Sequence, residues 1–237
     1  MGKNNLQEIQ HMKTLLLCGG EGTRLHPLTK KIPKPLVKIK NKTIIDHIIE
    51  HLSKSGLKNF LICSGYKSSM ISRHFSRNNL TNAKIINSGK ADILQRIIDC
   101  KSMINNQFMV CYGDTIANVN IEKLYAFHNS HTGIATICSY HLKQNFGIIN
   151  KNNKNLVISF NEKPKYPGSI NIGYFIFDKK VFKHIHSVNN WLDLINLLIE
   201  KKKLFSYEHD GVHITINTLN ELALAEKSID LYLDTLK

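Results

Sequence analysis

Acidic residues are scarce in this 237-residue sequence: 18 aspartates and glutamates stand against 32 lysines and arginines, which gives a formal net charge of +14. Cysteine pairs are also missing, since the five cysteines are odd in number and none forms a C-x-x-C motif. These absences exclude a disulfide framework and a zinc site built on cysteine pairs. They predict unpaired, mostly buried thiols in a reducing cytoplasm.

Long apolar runs are absent as well. No segment approaches the roughly 20 apolar residues that a membrane-spanning helix needs, and residues 1–12 lack the apolar core of a signal peptide. Gly2 could begin a myristoylation signal, but Leu6 stands where that signal requires serine or threonine. We therefore expect a cytoplasmic protein without a membrane partner. Residues 1–12 are predicted to be a disordered or artificially added start, and residues 13–237 a single domain.

The excess of positive charge raises nucleic acid as a partner. The basic residues are scattered among asparagines apart from residues 201–203, and no RNP1, KH or C2H2 pattern is present. We therefore expect no nucleic-acid partner. A small anionic substrate needs only a few of these charges.

Short β-rich runs alternate with helical ones along the first half of the chain. Such alternation predicts parallel strands joined by crossover helices, with ligands bound beyond the carboxyl ends of the strands. The predicted strands are 14–18, 59–64, 84–87, 108–112, 133–140, 147–150, 156–160 and 172–178, and the predicted helices are 44–55, 68–77, 93–102, 121–130, 191–201 and 219–233. We predict an α/β fold of Rossmann-like type, with a mixed, mainly parallel sheet flanked by helices.

The loop after the first strand is rich in glycine and in positive charge. Its run GGEG lets backbone N–H groups approach a phosphate closely, and Arg24 and Lys34 add cations. It is not a P-loop, because its last glycine is followed by threonine and arginine. It is not a dinucleotide fingerprint either, because Leu25 stands where a third glycine is needed. Prolines on both sides of Lys34 stiffen the backbone there.

The run GGEGTRLHPLT followed by IPKPL resembles the signature of the nucleotidyltransferases that activate sugar 1-phosphates. The resemblance extends through YGD at 112–114, FNEKP at 160–164 and INIGYFIF at 170–177. The stretches SGLKNFLICSGYKSSMI, NFGII and 207–209 are similar to the cytidylyltransferase branch. The resemblance implies an enzyme that joins a nucleoside triphosphate to a phosphorylated acceptor, with Mg²⁺ as cofactor and release of pyrophosphate.

The resemblance also implies roles for particular residues. Catalytic roles fall on Arg24, Lys34, Asp114 and Lys163. The nucleotide, CTP in this branch, would be bound by Leu17, Cys18, Gly19, Gly20, Glu21, Gly22, Thr23, Arg24, Lys34, Ser88, Gly89 and Gly113. The acceptor would be bound by Gly147, Glu162, Lys163, Asn171 and Gly173, and the metal by Asp114 and Asn217.

Two departures from the family pattern leave alternatives open. In NSGKADILQRI the Gly-Gly-Arg of the cytidylyltransferases is missing, and either Lys90 or Arg96 replaces its arginine. Asn217 replaces a metal-binding aspartate, which removes one negative charge. The second change predicts weaker Mg²⁺ affinity or a differently charged acceptor. His47 and His51 lack a third ligand and are expected to be part of a helix face rather than a zinc site.

The acceptor depends on features outside the glycine loop. Residues 191–193 read Trp-Leu-Asp where enzymes acting on glucose 1-phosphate have W-E-x-x-P-L, which disfavours that acceptor. Over its whole length the chain resembles cytidylyltransferases of capsule phosphoramidate synthesis. That resemblance favours L-glutamine phosphate as the acceptor and CDP-glutamine as the product. The alternative is a sugar 1-phosphate, hexose or heptose, used to make an NDP-sugar for a surface polysaccharide. A non-catalytic nucleotide-binding regulatory module is a second alternative, and the oligomeric state is left open.

Overall fold

The structure is a computed structural model that describes residues 3–78, 82–142, 146–164 and 168–236. Short connections, several of them 3-10 helices, join the elements. In chain order the elements are α1 (Lys3–His11), β1 (Lys13–Cys18), α2 (Leu28–Lys31), β2 (Lys38–Ile39), β3 (Lys42–Thr43), α3 (Ile44–Lys54), β4 (Asn59–Ser64), α4 (Ser68–Arg77), β5 (Ala83–Asn87), α5 (Ile93–Asp99), β6 (Phe108–Tyr112), β7 (Thr115–Ala117), α6 (Ile121–Asn129), β8 (Ala135–Tyr140), β9 (Ile148–Lys151), β10 (Val157–Asn161), β11 (Ile170–Phe177), α7 (Trp191–Glu200), β12 (Leu204–His209), β13 (His213–Thr215) and α8 (Leu219–Asp234).

Seven strands form the central sheet in the order β12-β8-β11-β6-β1-β4-β5. Strand β1 is parallel to both of its neighbours, and the outer pairs are parallel too. Strand β11 is antiparallel to β6 and to β8. The predicted mixed, mainly parallel sheet flanked by helices is therefore confirmed.

This topology gathers several strand ends at one edge of the sheet. In the register of the parallel strands, Leu17 pairs with Tyr112 and Cys18 pairs with Ser64. Because β11 runs the other way, its first residues, Ile170 and Asn171, lie at the same edge. Loops that are far apart in the sequence therefore meet beyond this edge.

The sheet is covered on both faces, as the apolar sequences of β1 and β6 require. Successive residues of a strand point to opposite faces, so the neighbours Leu15 and Leu16 belong to different buried clusters. Helices α3 and α8 pack on the Leu16 side, and α5 and α7 pack on the Leu15 side. These two cores fix the strand ends that carry the loops described below.

Two details of the sequence predictions need correction. Residues 3–11 form helix α1, and Ile9 of this helix is fully buried, so a disordered start is wrong for this part of residues 1–12. Strand β12 was not predicted, although it pairs with β8 along its whole length. The single domain over 13–237 stays a prediction.

All five cysteines are buried and unpaired, as predicted. Cys63 and Cys100 lie side by side, with their sulfur atoms 3.6 Å apart. Within the ranges that the structure describes, no helix has both the length and the apolar character needed to cross a membrane.

Candidate active site

The glycine loop leaves the buried strand β1 and is held in a defined conformation. Gly22 has a φ of 64°, the left-handed conformation that glycine adopts without a steric penalty. Its carbonyl oxygen accepts a 2.8 Å hydrogen bond from the Thr29 hydroxyl, and the Tyr66 hydroxyl in turn donates to the Thr29 carbonyl at 2.9 Å. The loop is therefore fastened to helix α2 and, through Tyr66, to the segment after β4.

Lys34 reaches the centre of the site from a rigid segment. Pro33 is extended, and Lys34 opens a short 3-10 helix in which Pro35 is the next residue. The Lys34 side chain is mostly buried, and its ammonium donates to Asp114 Oδ2 at 2.7 Å and to Asn217 Oδ1 at 2.9 Å. Arg24 donates to the same Asn217 oxygen at 3.0 Å. Four residues predicted from distant parts of the sequence therefore form one cluster.

Asn217 is positioned by the start of helix α8. Thr218 and Glu221 form a capping box, in which each side chain accepts from the other residue's backbone N–H. The Asn217 amide nitrogen donates to the Thr215 hydroxyl at 2.9 Å, which leaves its oxygen facing the two cations. An asparagine at this position thus serves as an acceptor for Arg24 and Lys34.

The ends of β1 and β6 approach each other closely behind this cluster. The Gly113 N–H donates to the Leu17 carbonyl at 3.1 Å. A Cβ atom on Gly113 would lie 2.7 Å from that carbonyl oxygen and from the Cys18 sulfur, which is closer than real Cβ contacts. Glycine in the YGD motif therefore has a packing reason, and it brings Asp114 next to the glycine loop.

A cavity of about 870 Å³ lies between these loops, which is within the range of small-molecule sites. Of the residues predicted to bind the nucleotide, only Ser88 is not part of its lining. The lining contains Leu17, Cys18, Gly19, Gly20, Glu21, Gly22, Thr23, Arg24, Lys34, Gly89, Gly113, Asp114 and Asn217. It also contains Lys90 and Arg96, the two candidates for the missing family arginine, and further residues that were not predicted to bind, namely Pro35, Gly65, Tyr66, Ala91, Asp92, Ile93 and Tyr112.

The unpredicted lining residues come mainly from segments after β4, β5 and β6. Gly65 and Tyr66 follow β4, and 90–93 follow β5. The signal that could have found Gly65 is its position directly after an apolar strand, at the edge where ligands bind. Arg96 was one of the two candidates for the missing family arginine, but its burial was not predicted, because a basic residue inside a helix usually faces solvent.

The predicted acceptor residues lie outside the cavity. Asn171 donates to the Tyr112 hydroxyl at 3.4 Å, and a Cβ atom on Gly173 would lie 2.5 Å from the Tyr112 ring. Asn171 and Gly173 therefore contact Tyr112, which lines the cavity, but do not line the cavity themselves. Glu162 and Lys163 are exposed and adjoin the two-stranded β9–β10 ribbon.

Gly147 directly precedes strand β9 of the same ribbon. A Cβ atom there would lie 2.5 Å from the Phe160 ring and 2.9 Å from the Glu162 carboxylate. Several large apolar side chains of the ribbon are exposed, among them Phe146 and Phe160. The structure thus brings the residues predicted to bind the nucleotide, except Ser88, together in one cavity wall and leaves Gly147, Glu162 and Lys163 apart from them.

Two weakly acidic side chains in the cavity wall, Cys18 and Tyr112, are held in their neutral form. Burial raises the pKa of the Cys18 thiol well above its usual range, and the nearby Asp114 carboxylate raises it further. Burial also raises the pKa of the Tyr112 hydroxyl, which Asn171 and Trp191 partly offset by hydrogen bonding. Neither group has the low pKa that would make it a nucleophile at neutral pH.

Oxygen atoms suited to a hard cation converge at the cluster. Asp114 Oδ2 and Asn217 Oδ1 both lie within 2.9 Å of the same Lys34 nitrogen. In the part of the chain that is described, no group of three or more histidine, cysteine, aspartate or glutamate side chains could hold a metal alone. Mg²⁺ binds through one or two carboxylates and takes its remaining ligands from phosphates and water. The donor set therefore fits Mg²⁺ together with a phosphorylated ligand.

His47 and His51 lie on the buried face of α3. Both rings are buried and lie within hydrogen-bond distance of backbone carbonyls, His47 of Ile39 at 3.4 Å and His51 of Val119 at 3.1 Å. The prediction of a helix face is confirmed, although the face is turned into the core.

Comparisons with known proteins agree with this geometry. Residues 13–209 match the family described as Nucleotidyl transferase. The chain is 29% identical to the glucose-1-phosphate cytidylyltransferase of Salmonella typhimurium, over 91% of this chain and 95% of that protein. It is 28% identical, over the same shares, to a Bacillus subtilis protein named "Probable glucose-1-phosphate cytidylyltransferase". The solved structure of HddC from Yersinia pseudotuberculosis complexed with GMP-PN superposes with a TM-score of 0.70 at 22% identity, covering 92% of this chain and 99% of that one.

Proposed function

The chain belongs to the Nucleotidyl transferase family, and on that premise we propose that it transfers CMP from CTP to a phosphorylated acceptor and releases pyrophosphate. The observation that carries the proposal is the cluster of Lys34, Asp114 and Arg24 in the wall of the glycine-lined cavity. Cytidine is supported by the two relatives named as cytidylyltransferases and by the likeness of residues 87–97 to that branch.

Charge compensation is the first task of such a site. A nucleoside triphosphate and a phosphorylated acceptor are both polyanions and repel each other. Arg24 and Lys34 carry two positive charges against the one carboxylate of Asp114, so the cluster keeps a net positive charge for the triphosphate. The N–H groups of the loop from Gly19 to Gly22 add further donors without side-chain bulk.

Alignment is the second task, and no general base is needed for it. The second pKa of a phosphomonoester such as a sugar 1-phosphate is about 6, so that acceptor is already largely dianionic at neutral pH. An acceptor phosphate oxygen attacks the α-phosphorus, a new P–O bond forms, and the bond to pyrophosphate breaks with the electron pair leaving on pyrophosphate. The protein contributes the in-line placement of the two substrates and the cations that stabilise developing charge.

Mg²⁺ belongs to the proposal as cofactor. Asp114 and Asn217 would hold it, as their oxygen atoms already converge. Bound there, it would neutralise and orient phosphate oxygens. Lys34 would then redirect its ammonium from these two oxygens toward the triphosphate.

Two acceptors remain in the proposal. L-glutamine phosphate is supported by the resemblance of the whole chain to cytidylyltransferases of capsule phosphoramidate synthesis. It is also supported by residues Trp191–Asp193, which stand where enzymes acting on glucose 1-phosphate have W-E-x-x-P-L. A sugar 1-phosphate is supported by the names of the two curated relatives. In both cases Lys163 and Glu162 are proposed acceptor residues, and they would have to approach the cavity with the β9–β10 ribbon.

The test is a matrix of substrates. The protein is mixed with Mg²⁺, each of the four common nucleoside triphosphates, and either L-glutamine phosphate or a panel of hexose and heptose 1-phosphates, and pyrophosphate release is followed. We expect release with CTP and one acceptor class. Release with GTP or UTP but not CTP would overturn the base assignment, and release with no pair would overturn the function.

A further inference from the structure

Arg96 is a buried cation that no carboxylate neutralises among the residues that the structure describes. It lies on helix α5 and is only 4% exposed. Its guanidinium lies within hydrogen-bond distance of four backbone carbonyl groups, and within the described ranges it has no side-chain partner. The acceptors are Ser64 at the end of β4, Gly19 at 3.2 Å, Gly89 at 2.9 Å and Ala91 at 2.9 Å.

These carbonyls belong to three separate loops. Gly19 follows β1, Ser64 ends β4, and Gly89 and Ala91 follow β5. All three loops line the cavity that we assign to the nucleotide. The Arg96 side chain thus contacts all three loops, including Gly19, which is 77 residues away in the sequence.

The glycines around Arg96 make room for its planar head. A Cβ atom on Gly19 would lie 2.0 Å from the central carbon of the guanidinium. A Cβ atom on Gly65 would lie 2.2 Å from the Gly89 carbonyl oxygen and 2.7 Å from an Arg96 nitrogen. The Gly19 and Gly65 positions are therefore adapted to this arginine as well as to a ligand.

The fork shape is needed here as much as the charge. Arginine carries donors that point in several fixed directions, whereas lysine concentrates three donors on one small, strongly hydrated group. Burying a charge without an ionic partner is costly unless hydrogen bonds satisfy it. A buried Arg96 is explained if its hydrogen bonds to the three loops are required for the shape of the cavity.

We propose that Arg96 is the positioning residue that sets the spacing of the nucleotide loops and, through it, the choice of base. This inference rests on the proposed function and deepens it. Lys90, by contrast, is exposed, lines the same cavity and has no hydrogen-bond or ion-pair partner within the described residues. Of the two candidates for the missing family arginine, Lys90 is free to contact the nucleotide and Arg96 shapes the loops.

The expected effects follow from the hydrogen bonds. Arg96→Lys keeps the charge but cannot serve three loops. Loss of even one of these charge-assisted hydrogen bonds should displace a wall of the cavity, and we expect the nucleotide KM to rise about tenfold or more. The ratio of kcat/KM for the preferred nucleotide over the others should fall, with a smaller change in kcat. The surface variant Arg77→Lys, on α4, is the matched control and should leave all values unchanged.

The test compares wild type, Arg96→Lys, Arg96→Ala and Arg77→Lys in nucleotide KM, kcat, base discrimination and nucleotide Kd by calorimetry. Because the Arg96 head borders the cavity, free guanidinium at millimolar concentration should enter the space left in Arg96→Ala and restore affinity. Ammonium chloride at the same ionic strength should not. Recovery with guanidinium alone supports the inference, and it also shows that the variant is folded.

Several outcomes would overturn the inference. Wild-type KM and discrimination in Arg96→Lys, or equal rescue by ammonium, would show that the loops do not depend on the fork. A lower melting temperature with unchanged KM would reduce Arg96 to a stabilising residue. If wild type prefers a nucleotide other than CTP, the same comparison is made with that nucleotide, so a wrong base assignment is distinguished from a wrong role for Arg96. If wild type binds no nucleotide, both proposals are wrong.

Discussion

At the scale of single residues, the site is organised around the Lys34 ammonium. Asp114 and Asn217 hold it at 2.7 and 2.9 Å, and Arg24 shares the Asn217 oxygen. Because the cluster contains one carboxylate and two cations, it has a net positive charge that favours an anionic ligand. Replacing Lys34 or Asp114 therefore removes a hydrogen bond and also changes the net charge of the cluster.

Replacing either ionic partner should abolish turnover without unfolding the protein. Removing one preorganised charge from a site that stabilises developing charge typically lowers kcat by a factor of about 100 to 1,000. We expect at least that loss in Lys34→Ala and in Asp114→Ala, measured as pyrophosphate release with the preferred substrate pair. The control is Lys31→Ala, an exposed lysine at the end of helix α2. Activity near wild type in either site variant, with an unchanged melting temperature, would show that the cluster is not the catalytic centre.

Asn217→Asp should lower the Mg²⁺ concentration needed for half-maximal activity. The change adds a negative charge beside Asp114, and hard cations bind carboxylates more tightly than amides. The Thr215 hydroxyl, which now accepts from the Asn217 amide, can donate to the new carboxylate instead. Titration of activity against Mg²⁺ for both proteins measures the effect. An unchanged Mg²⁺ profile would remove residue 217 from the metal site.

Residues close together in the sequence were predicted well. The glycine loop, Arg24 and Lys34 lie within sixteen positions of one another, and the spacing of their motif is informative by itself. Tyr66 and Tyr112 were not predicted as binding residues, and the choice between Lys90 and Arg96 was left open, because the places of these side chains depend on the order of strands in the sheet and not on local sequence. Ser88 and Gly89 were both predicted to bind the nucleotide, and of the two only Gly89 lines the cavity.

At the scale of secondary structure, the contact between the ends of β1 and β6 places the YGD motif. The Gly113 N–H bonds to Leu17, and there is no space for a side chain at Gly113. Helix α8 acts in the same way on the other side, since its capping box orients Asn217. Three elements thus converge on the Lys34 cluster.

Gly113→Ala should separate these strand ends and misplace Asp114. Overpacking of this kind typically costs about 1–3 kcal/mol of stability. We expect a loss in the free energy of unfolding within that range, measured with urea, and a fall in kcat of tenfold or more, since small displacements of catalytic groups are costly.

Gly211→Ala is not a suitable control, because a Cβ atom there would also clash. Gly20→Ala has open space around its Cβ position and tests whether bulk alone in the cavity matters. Wild-type stability and activity in Gly113→Ala would contradict the close contact.

The elements that sequence reasoning missed have a common cause. Strand β12 lies at the end of the sheet and is only partly covered, so its sequence LFSYEH lacks the continuous apolar run of a central strand. Helix α1 has a strongly polar sequence, and its Ile9 becomes buried only after the chain has folded against it. The central strands β1, β4 and β6 were predicted because burial on both faces leaves a clear signal in the sequence.

At the scale of the whole molecule, buried histidines couple stability to pH. Burial lowers the pKa of His51 and of His128 from 6.5 to about 4. Both are neutral in the native state, whereas the unfolded chain binds protons as the pH falls below 6.5. Their contribution is therefore fully present above pH 6.5 and is lost as the pH is lowered through this value toward 4.

His51→Gln should flatten this dependence. A glutamine amide can still donate to the Val119 carbonyl that His51 contacts at 3.1 Å, but it cannot be protonated. For one such histidine, stability should fall by about 1 kcal/mol between roughly pH 7 and 5.5, and the variant should lack this part of the decrease. Urea unfolding at both pH values measures it. The exposed His186→Gln is the control, and parallel curves for wild type and His51→Gln would contradict the prediction.

The central claim concerns the whole molecule as a catalyst: the acceptor attacks the α-phosphorus of the nucleotide, and no other phosphorus. The direct measurement uses CTP labelled with ³²P at either the α or the γ position, together with the acceptor that supports pyrophosphate release. In-line nucleotidyl transfer predicts that the α label appears in the acceptor product and the γ label in pyrophosphate. A γ label on the acceptor would show phosphoryl transfer, and γ label released as inorganic phosphate without a labelled acceptor product would show hydrolysis; either result would contradict the claim.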